Sequence, residues 1–545
     1  MFATAALVVL APALHCWFHS DDTVYIERNS FVHELSLENT AAILDPWGDP
    51  ARNTANYAPV HLLGHAVGWW LWGSQVVAHH VVSVLLHAMV GTLLVALFQS
   101  RGLPIAPSFL AGGLFLLHPA NVETVAWIFQ LKSMLALSLV IAALLAHPRH
   151  PLAGLVCFAL ALLSKASALL ALPVAVVFTL ISAPREAAWR RQMGWLLGWA
   201  ALLLLYSIPA FHAFQRTGEL DQALDSGILV HARTIVAIGA GYLAMAAGGI
   251  GISPFHEPEP ARSWLNPWWL GGLVLGALLV WRVSWALIHR REEAAWWIWA
   301  AAGYLPISQI FRFVYPMADR YLYFILPGLI GAVFFAGLEL SPRLEGLARG
   351  WRARLPDAVT PGRLGAACAL LVAIFYGLAS HQQARVWRSP TTIAIAAATN
   401  YPDGLMAHVL RARQAGLQSD AAACAGQLSV AAARGYGQFW ELQSDPAFAT
   451  VYAAPEVQAV IHEMAANWIE RTLARPDPSY FDLYWRGQAH AVRGEFKEAE
   501  AALKEALRLG GGWDSQIRDD LTRLHRLSPR LRVREGSTEE EAIHQ

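Results

Sequence analysis

VVAHHVVSVLLHAMVGTLLVALF, residues 76–98, runs for 23 residues without one Asp, Glu, Lys or Arg. As a helix rising 1.5 Å per residue, it is long enough to cross the roughly 30 Å hydrocarbon core of a bilayer. A soluble surface helix of that length would show a charged face. This one offers three histidines, Ser83 and Thr92.

Comparable apolar runs lie on either side of it, at 2–18, 108–118 running on into 124–146, 151–163, 168–183, 193–211, 232–252, 268–288, 294–310, 321–338 and 363–380. The chain has 545 residues, of which 56% are hydrophobic and 15% charged, against about 25% charged in an average soluble domain. Its mean hydropathy of +0.38 averages two unlike parts. Charge is scarce before about residue 340 and ordinary after 385. The expectation is an all-α protein, with a polytopic membrane domain over 1–384 followed by a soluble helical-repeat domain over 385–545. The net charge of zero gives no reason to expect a nucleic-acid partner. The four cysteines show no CxxC or CxxxC spacing and read as buried hydrophobes rather than a disulfide framework. MFATAALVVLAPALHCWF lacks the basic start of a signal peptide and is expected to be a retained first span.

Basic loops set the orientation. Arg101, the stretch 147–150, Arg185/Arg190/Arg191, His289/Arg290/Arg291 and the Arg343–Arg354 loop are expected on the cytoplasmic side. The last helix then ends outside and exports 385–545, which would be periplasmic if the cell is Gram-negative, from a protein of the cytoplasmic (inner) membrane. About eleven spans fit this scheme if the Gly- and Ala-rich segment 232–252 is re-entrant or split.

The outer face then gathers Asp21 and Asp22, the turn after His118-Pro119 with Glu123, Lys165, the 253–266 loop with His256, Glu257 and Glu259, and Arg312, Asp319 and Arg320. Charges beside a bilayer need partners, water or a use. Acidic and basic groups converging there suit a lipid-linked anionic substrate. Asp21-Asp22 could take a proton from a hydroxyl or hold a divalent cation such as Mg or Mn; solvated loop carboxylates would look the same. Glu123 falls in the first turn of a helix that Asn121 could cap, a structural reason for a carboxylate there. Lys132, in an otherwise apolar helix, needs a phosphate or carboxylate partner. Lys165 either snorkels or binds phosphate. Arg320, beside Asp319 and Tyr321, suits bidentate phosphate contact. His65, His79, His80, His87 and His118 lack metal-ligand spacing and read as packing or hydrogen-bonding groups. No phosphate-cradling or nucleophile-elbow motif occurs.

Residues 480–513 show a helical-hairpin pattern of about 34 residues, with Gly487, Gly494, Ala499, Leu503 and Ala506 at tetratricopeptide-like positions. The stretches 403–435 and 438–472 read as degenerate copies.

In order along the chain, Asp21-Asp22, YAPV (57–60), HHVVSVLLH (79–87), LHPANVETVAW (117–127), LSKASALLALP (163–173) and MADRYLYF (317–324) resemble the TMTC-like, tetratricopeptide-bearing GT-C glycosyltransferases. That resemblance implies transfer of a sugar, typically mannose, from a polyprenyl phosphate to a protein hydroxyl outside the cytoplasm, with the repeats engaging the acceptor protein. It implies Asp22, with Asp21, as the catalytic acidic position and Glu123 as the acidic residue of the second loop. Lys132, Lys165, Arg320 and Arg312 would hold the donor phosphate, supported by His80, His118, Asp319 and Tyr321. Lys132 stands where the family tends to have Arg, Asp319 where it has Glu, Ala166 where it has Glu and Ser83 where Asn is common. Rival expectations are a glycolipid or polysaccharide acceptor, and a non-catalytic scaffold in which only the repeats work.

Overall fold

The computed structural model describes residues 1–54, 56–182, 186–215, 227–310, 315–352 and 361–527. Among these there are helices and no strands. Seven helical stretches are long and apolar enough to cross a membrane: Val76–Ser100, Ile128–Ala146, Trp189–Gln215, Ile228–Gly248, Pro267–Ile288, Asp319–Leu340 and Arg363–Val386. Four shorter apolar helical stretches lie in the same part of the chain: Phe2–Ala13, Ile105–Leu116, Pro151–Ser164 and Ala166–Ser182. Their starts are written locally. Pro151 opens one helix, and Pro267 opens another with Asn266 Oδ1 accepting from the Trp269 amide.

One expectation is corrected. The segment 232–252 is not split: Ile228–Gly248 is one helix. Its small residues mark packing rather than breakage. A Cβ on Gly239 would sit 3.0 Å from the Tyr304 hydroxyl, and one on Gly241 would sit 3.1 Å from Met317. The same logic joins helices Glu293–Tyr304 and Leu322–Arg352, where a Cβ on Gly331 would fall 2.4 Å from the Trp296 ring.

Large apolar side chains such as Leu204, Val274, Trp281 and Leu371 are more than half exposed on the long helices. Such a surface belongs in lipid. Helices Val76–Ser100 and Leu131–Ala146 instead sit inside the bundle and carry its core. All four cysteines are free.

The two ends of the bundle collect different loops. At one end Arg101 donates to both Glu292 oxygens, at 2.6 and 2.8 Å, and to Ser182 Oγ at 2.9 Å. Residues around 101, 182 and 292, all expected on the cytoplasmic side, therefore share one end. At the other end lie Asp21, Glu123, Lys165, His256 and Arg320.

After Val386 the chain folds into stacked helices around two small cores of its own. Leu405–Leu417 and Ala421–Ala433 form one hairpin, Tyr480–Val492 and Phe496–Leu509 another. The second turns at Gly494, whose φ of +75° favours glycine. Ala499, Leu503 and Ala506 are buried in it, and a Cβ on Gly487 would lie 2.7 Å from Leu503. This body docks on the loop between the first helical stretch and helix Pro59–Trp72, where Arg52 pairs with Asp477 at 2.6 Å and the Tyr480 amide donates to Asn53 at 3.1 Å. It also docks on the 249–266 loop.

Candidate active site

The acidic pair follows a turn at Ser20, in the left-handed region at φ +53°, and leads into a π-helical turn, Thr23–Glu27. Such wide turns are uncommon and concentrate at functional sites. Asp22 is its N-cap, and the two carboxylates have different surroundings.

Asp22 is fully buried. Its Oδ1 accepts from the Phe129 amide at 2.7 Å and its Oδ2 from the His19 amide at 3.2 Å. Burial holds its carboxyl well above the ordinary value, with the two amides pulling the other way. Asp22 thus ties the first outer loop to the start of helix Leu131–Ala146. Asp21 is only half-buried and makes no side-chain hydrogen bond among the described residues. Its surroundings raise its pKa by desolvation, while the positive charges of Lys132 and Arg320 oppose the rise.

Two cations, Lys132 and Arg320, act on that carboxylate, and a third, Lys165, lies near both of them. Lys132 is buried in the interior face of its helix, its Nζ 3.6 Å from the Phe129 ring centroid and 5.5 Å from that of Tyr25. Among the described residues it has no hydrogen-bond partner. Cation–π contact is a weak substitute for a desolvated ammonium's lost water. Lys165 follows helix Pro151–Ser164 in extended backbone, and its Nζ donates to Ser133 Oγ at 2.8 Å; Ser133 in turn donates to Gln130 at 2.7 Å. Lys165 also lies within Coulombic reach of Lys132 and Arg320.

Arg320 sits in the short 3-10 turn Asp319–Tyr321. Its Nη1 donates to Glu123 Oε1 at 2.5 Å and its amide to Oε2 at 2.8 Å. Both oxygens of Glu123 are thereby engaged, which casts it as the anchor of Arg320. The guanidinium is ringed by Trp127, Tyr315 and Tyr321, all within 5.4 Å of its carbon. Its Nε and Nη2 have no hydrogen-bond partner among the described residues.

Asp319 points away from Arg320's ligand side. Its Oδ1 accepts from His256 Nε2 at 2.7 Å and its carboxylate from the Ser253 amide. His80 donates to the Cys16 carbonyl at 2.9 Å, and His118 donates to the Ala246 carbonyl at 3.1 Å. Both histidines hold backbone and lie in the interior. Arg312 falls outside the described residues. Among those residues no three His, Cys, Asp or Glu side chains gather to hold a metal ion.

The sequence had not singled out Ser133, Gln130, Phe129 or Tyr25. Ser133 is adjacent to Lys132 in QLKS, but nothing in that spelling says that it would meet a lysine 32 residues later.

Below the charged cluster lies an apolar groove of about 850 Å³, walled by helices Ile228–Gly248, Pro267–Ile288 and Leu322–Arg352. Leu326 and Leu329 line it from the helix that begins just after Arg320. Ala246, the acceptor of His118, lines it from another.

No protein-family model matches the chain, and a search of curated proteins found no match. Two solved structures are similar. One is the arabinofuranosyltransferase AftD from Mycobacteria, 18% identical, covering 71% of this chain and 27% of that one, with a TM-score of 0.35. The other is ArnT from Cupriavidus metallidurans in the apo state, 20% identical, covering 75% of this chain and 79% of that one, with a TM-score of 0.34. The chain thus spans 27% of the AftD chain's length. Likeness at this level says nothing of a substrate.

Proposed function

We propose that this chain is a membrane glycosyltransferase that moves a sugar from a polyprenyl phosphate to a hydroxyl acceptor at the outer face of the membrane. The observation that carries the reading is the Asp21 carboxylate, without a hydrogen-bond partner among the described residues and within Coulombic reach of Lys132 and Arg320. Arg320 and Glu123 neutralise one another. Lys132 and Lys165 then outnumber Asp21, and the surplus positive charge suits a phosphate.

The chemistry follows from that layout. Asp21 takes the proton of the acceptor hydroxyl, whose oxygen forms a bond to the anomeric carbon as the bond from that carbon to the phosphate oxygen breaks. The leaving group is a polyprenyl phosphate, its charge stabilised by Lys132, Lys165 and the open nitrogens of Arg320. A single displacement inverts the anomeric centre. Asp22 holds the loop in place rather than taking the proton, because both its oxygens already accept amides. The groove walled by Leu326, Leu329 and their neighbours suits the polyprenyl tail. The resemblance to TMTC-like enzymes supports mannose as the sugar, a protein hydroxyl as acceptor and export of the C-terminal domain.

The test compares wild type, Asp21→Asn and Asp22→Asn for transfer from a mannosyl polyprenyl phosphate to envelope protein. Asp21→Asn is expected to insert and melt normally while losing transfer. Normal transfer by Asp21→Asn would remove it as the base. No transfer by wild type from any of several polyprenyl-phosphate sugars would remove the enzyme reading.

A further inference from the structure

The 249–266 loop has no regular structure between helices Ile228–Gly248 and Pro267–Ile288. Part of what shapes it comes from the C-terminal domain. Asn400 Nδ2 donates to the Ile252 carbonyl at 3.2 Å. Both oxygens of Glu257 accept from the Leu405 amide, at 2.8 and 3.0 Å, and so cap helix Leu405–Leu417, whose own N-cap, Gly404, has no side chain to do it. Between these two attachments His256 is buried at 4% exposure. A carboxylate can only accept, so His256 Nε2–H donates to Asp319. In the neutral imidazole Nδ1 then accepts, and the Tyr401 hydroxyl, 3.1 Å away, is its donor. The result is a directional chain from the C-terminal domain, Tyr401 to His256 to Asp319, ending one residue from Arg320.

Among the described residues the Asp319–Tyr321 turn is also held by Glu123 on Arg320, by the Ser253 amide on Asp319 and by the Tyr242 hydroxyl, which accepts from the Ala318 amide at 3.0 Å. We propose that Tyr401 is a positioning residue for the phosphate-binding Arg320, acting through His256 and Asp319, so that the C-terminal domain completes the donor site instead of serving the acceptor alone. This rests on the glycosyltransferase reading for its substrate. The geometry also bears on that domain's removal: without Tyr401, Asn400 and the Leu405 amide, the loop loses its outer attachments and His256 Nδ1 is left unpaired in a buried site.

The experiment uses the full chain in lipid nanodiscs and two readouts, binding of sugar-free undecaprenyl phosphate and steady-state transfer. Tyr401→Phe deletes one hydroxyl. It is expected to weaken undecaprenyl phosphate about five-fold, the equivalent of one hydrogen bond, and to raise the donor KM alike, with acceptor KM and melting temperature unchanged. His256→Gln, which can still donate to Asp319, should match it, and the double variant should be no worse than either single one. Arg52→Met loosens the domain's other attachment, at Asp477. It is expected to lower the melting temperature without altering phosphate affinity. Equal phosphate affinity in wild type and Tyr401→Phe overturns the inference. So does a rise in acceptor KM alone, or loss of phosphate affinity in Arg52→Met to the same degree, which would make docking in general the cause. Wild type that binds undecaprenyl phosphate but transfers no sugar overturns the enzyme reading and leaves this one standing.

Discussion

The two ends of the helical bundle carry the same kinds of side chain in opposite states. At one end Arg101 is saturated by both oxygens of Glu292 and by Ser182, its guanidinium lying 4.3 Å over the Phe178 ring. Nearby, Arg282 meets Glu293 at 2.6 Å. At the other end Lys132 has no hydrogen-bond partner, Lys165 has only a hydroxyl, and Asp21 has none among the described residues. Matched charges lock loops together, whereas charges left unmatched in a desolvated setting are costly unless something else completes them. The comparison supports the proposed reading, in which one end is architecture and the other, where Arg320–Glu123 and His256–Asp319 are matched beside Lys132 and Asp21, carries the chemistry.

The largest expected effect breaks the chemical end. Asp21→Asn should lower kcat by about 10³-fold, the usual scale for losing a general base, with unchanged melting. Asp22→Asn should do the reverse in kind, lowering the melting temperature first, because it disturbs the acceptors of the Phe129 and His19 amides. Next comes Lys132→Met, a change of similar length that removes one charge. It should weaken undecaprenyl phosphate about thirty-fold, on the scale of a charged hydrogen bond; unchanged affinity would make Lys132 a structural cation. At the matched end, Glu292→Gln should cost about 1–2 kcal/mol of stability, read from thermal unfolding, and leave donor KM alone. A changed donor KM there would dissolve the contrast.

The smallest effect is a shift in pH dependence. Asp21 must be ionised to accept a proton, and its pKa is raised by burial with Lys132 and Arg320 partly offsetting that rise. The rate therefore falls as pH falls through a value above the ordinary carboxylate range. Lys132→Met removes one of the lowering charges and should move that acid limb of kcat/KM further up. A limb that moved down would assign it to another group.

Much of this was legible in the sequence, because spanning helices need long uncharged runs and the charges between those runs must lie at one end or the other. Asp21, Asp22, Glu123, Lys165, Asp319 and Arg320 could be grouped without a structure for that reason, whereas Lys132, inside an apolar run, could not. Which of them pair was not legible. Glu123 and Arg320 are 197 residues apart, and no local pattern distinguishes a carboxylate awaiting a substrate from one already holding an arginine. The different surroundings of Asp21 and Asp22 are likewise concealed by their adjacency: Asp22 accepts two backbone amides, one of them from Phe129, 107 residues on. The small residues of 232–252 were misread because glycine breaks helices in water yet tightens helix contacts in lipid. His256 could be placed at the outer face, but its link to Tyr401, 145 residues on, has no signature at all.

The apolar groove has a consequence for how rates should be measured. Its lining among the described residues is apolar, and the helices that wall it carry exposed apolar side chains. The proposed donor would arrive sideways, by two-dimensional diffusion within one leaflet. Its driving variable is then mole fraction in the membrane, not bulk molarity. Adding plain phospholipid at fixed enzyme and donor should slow the subsaturated reaction in proportion, a surface-dilution law that an aqueous-facing site would not obey.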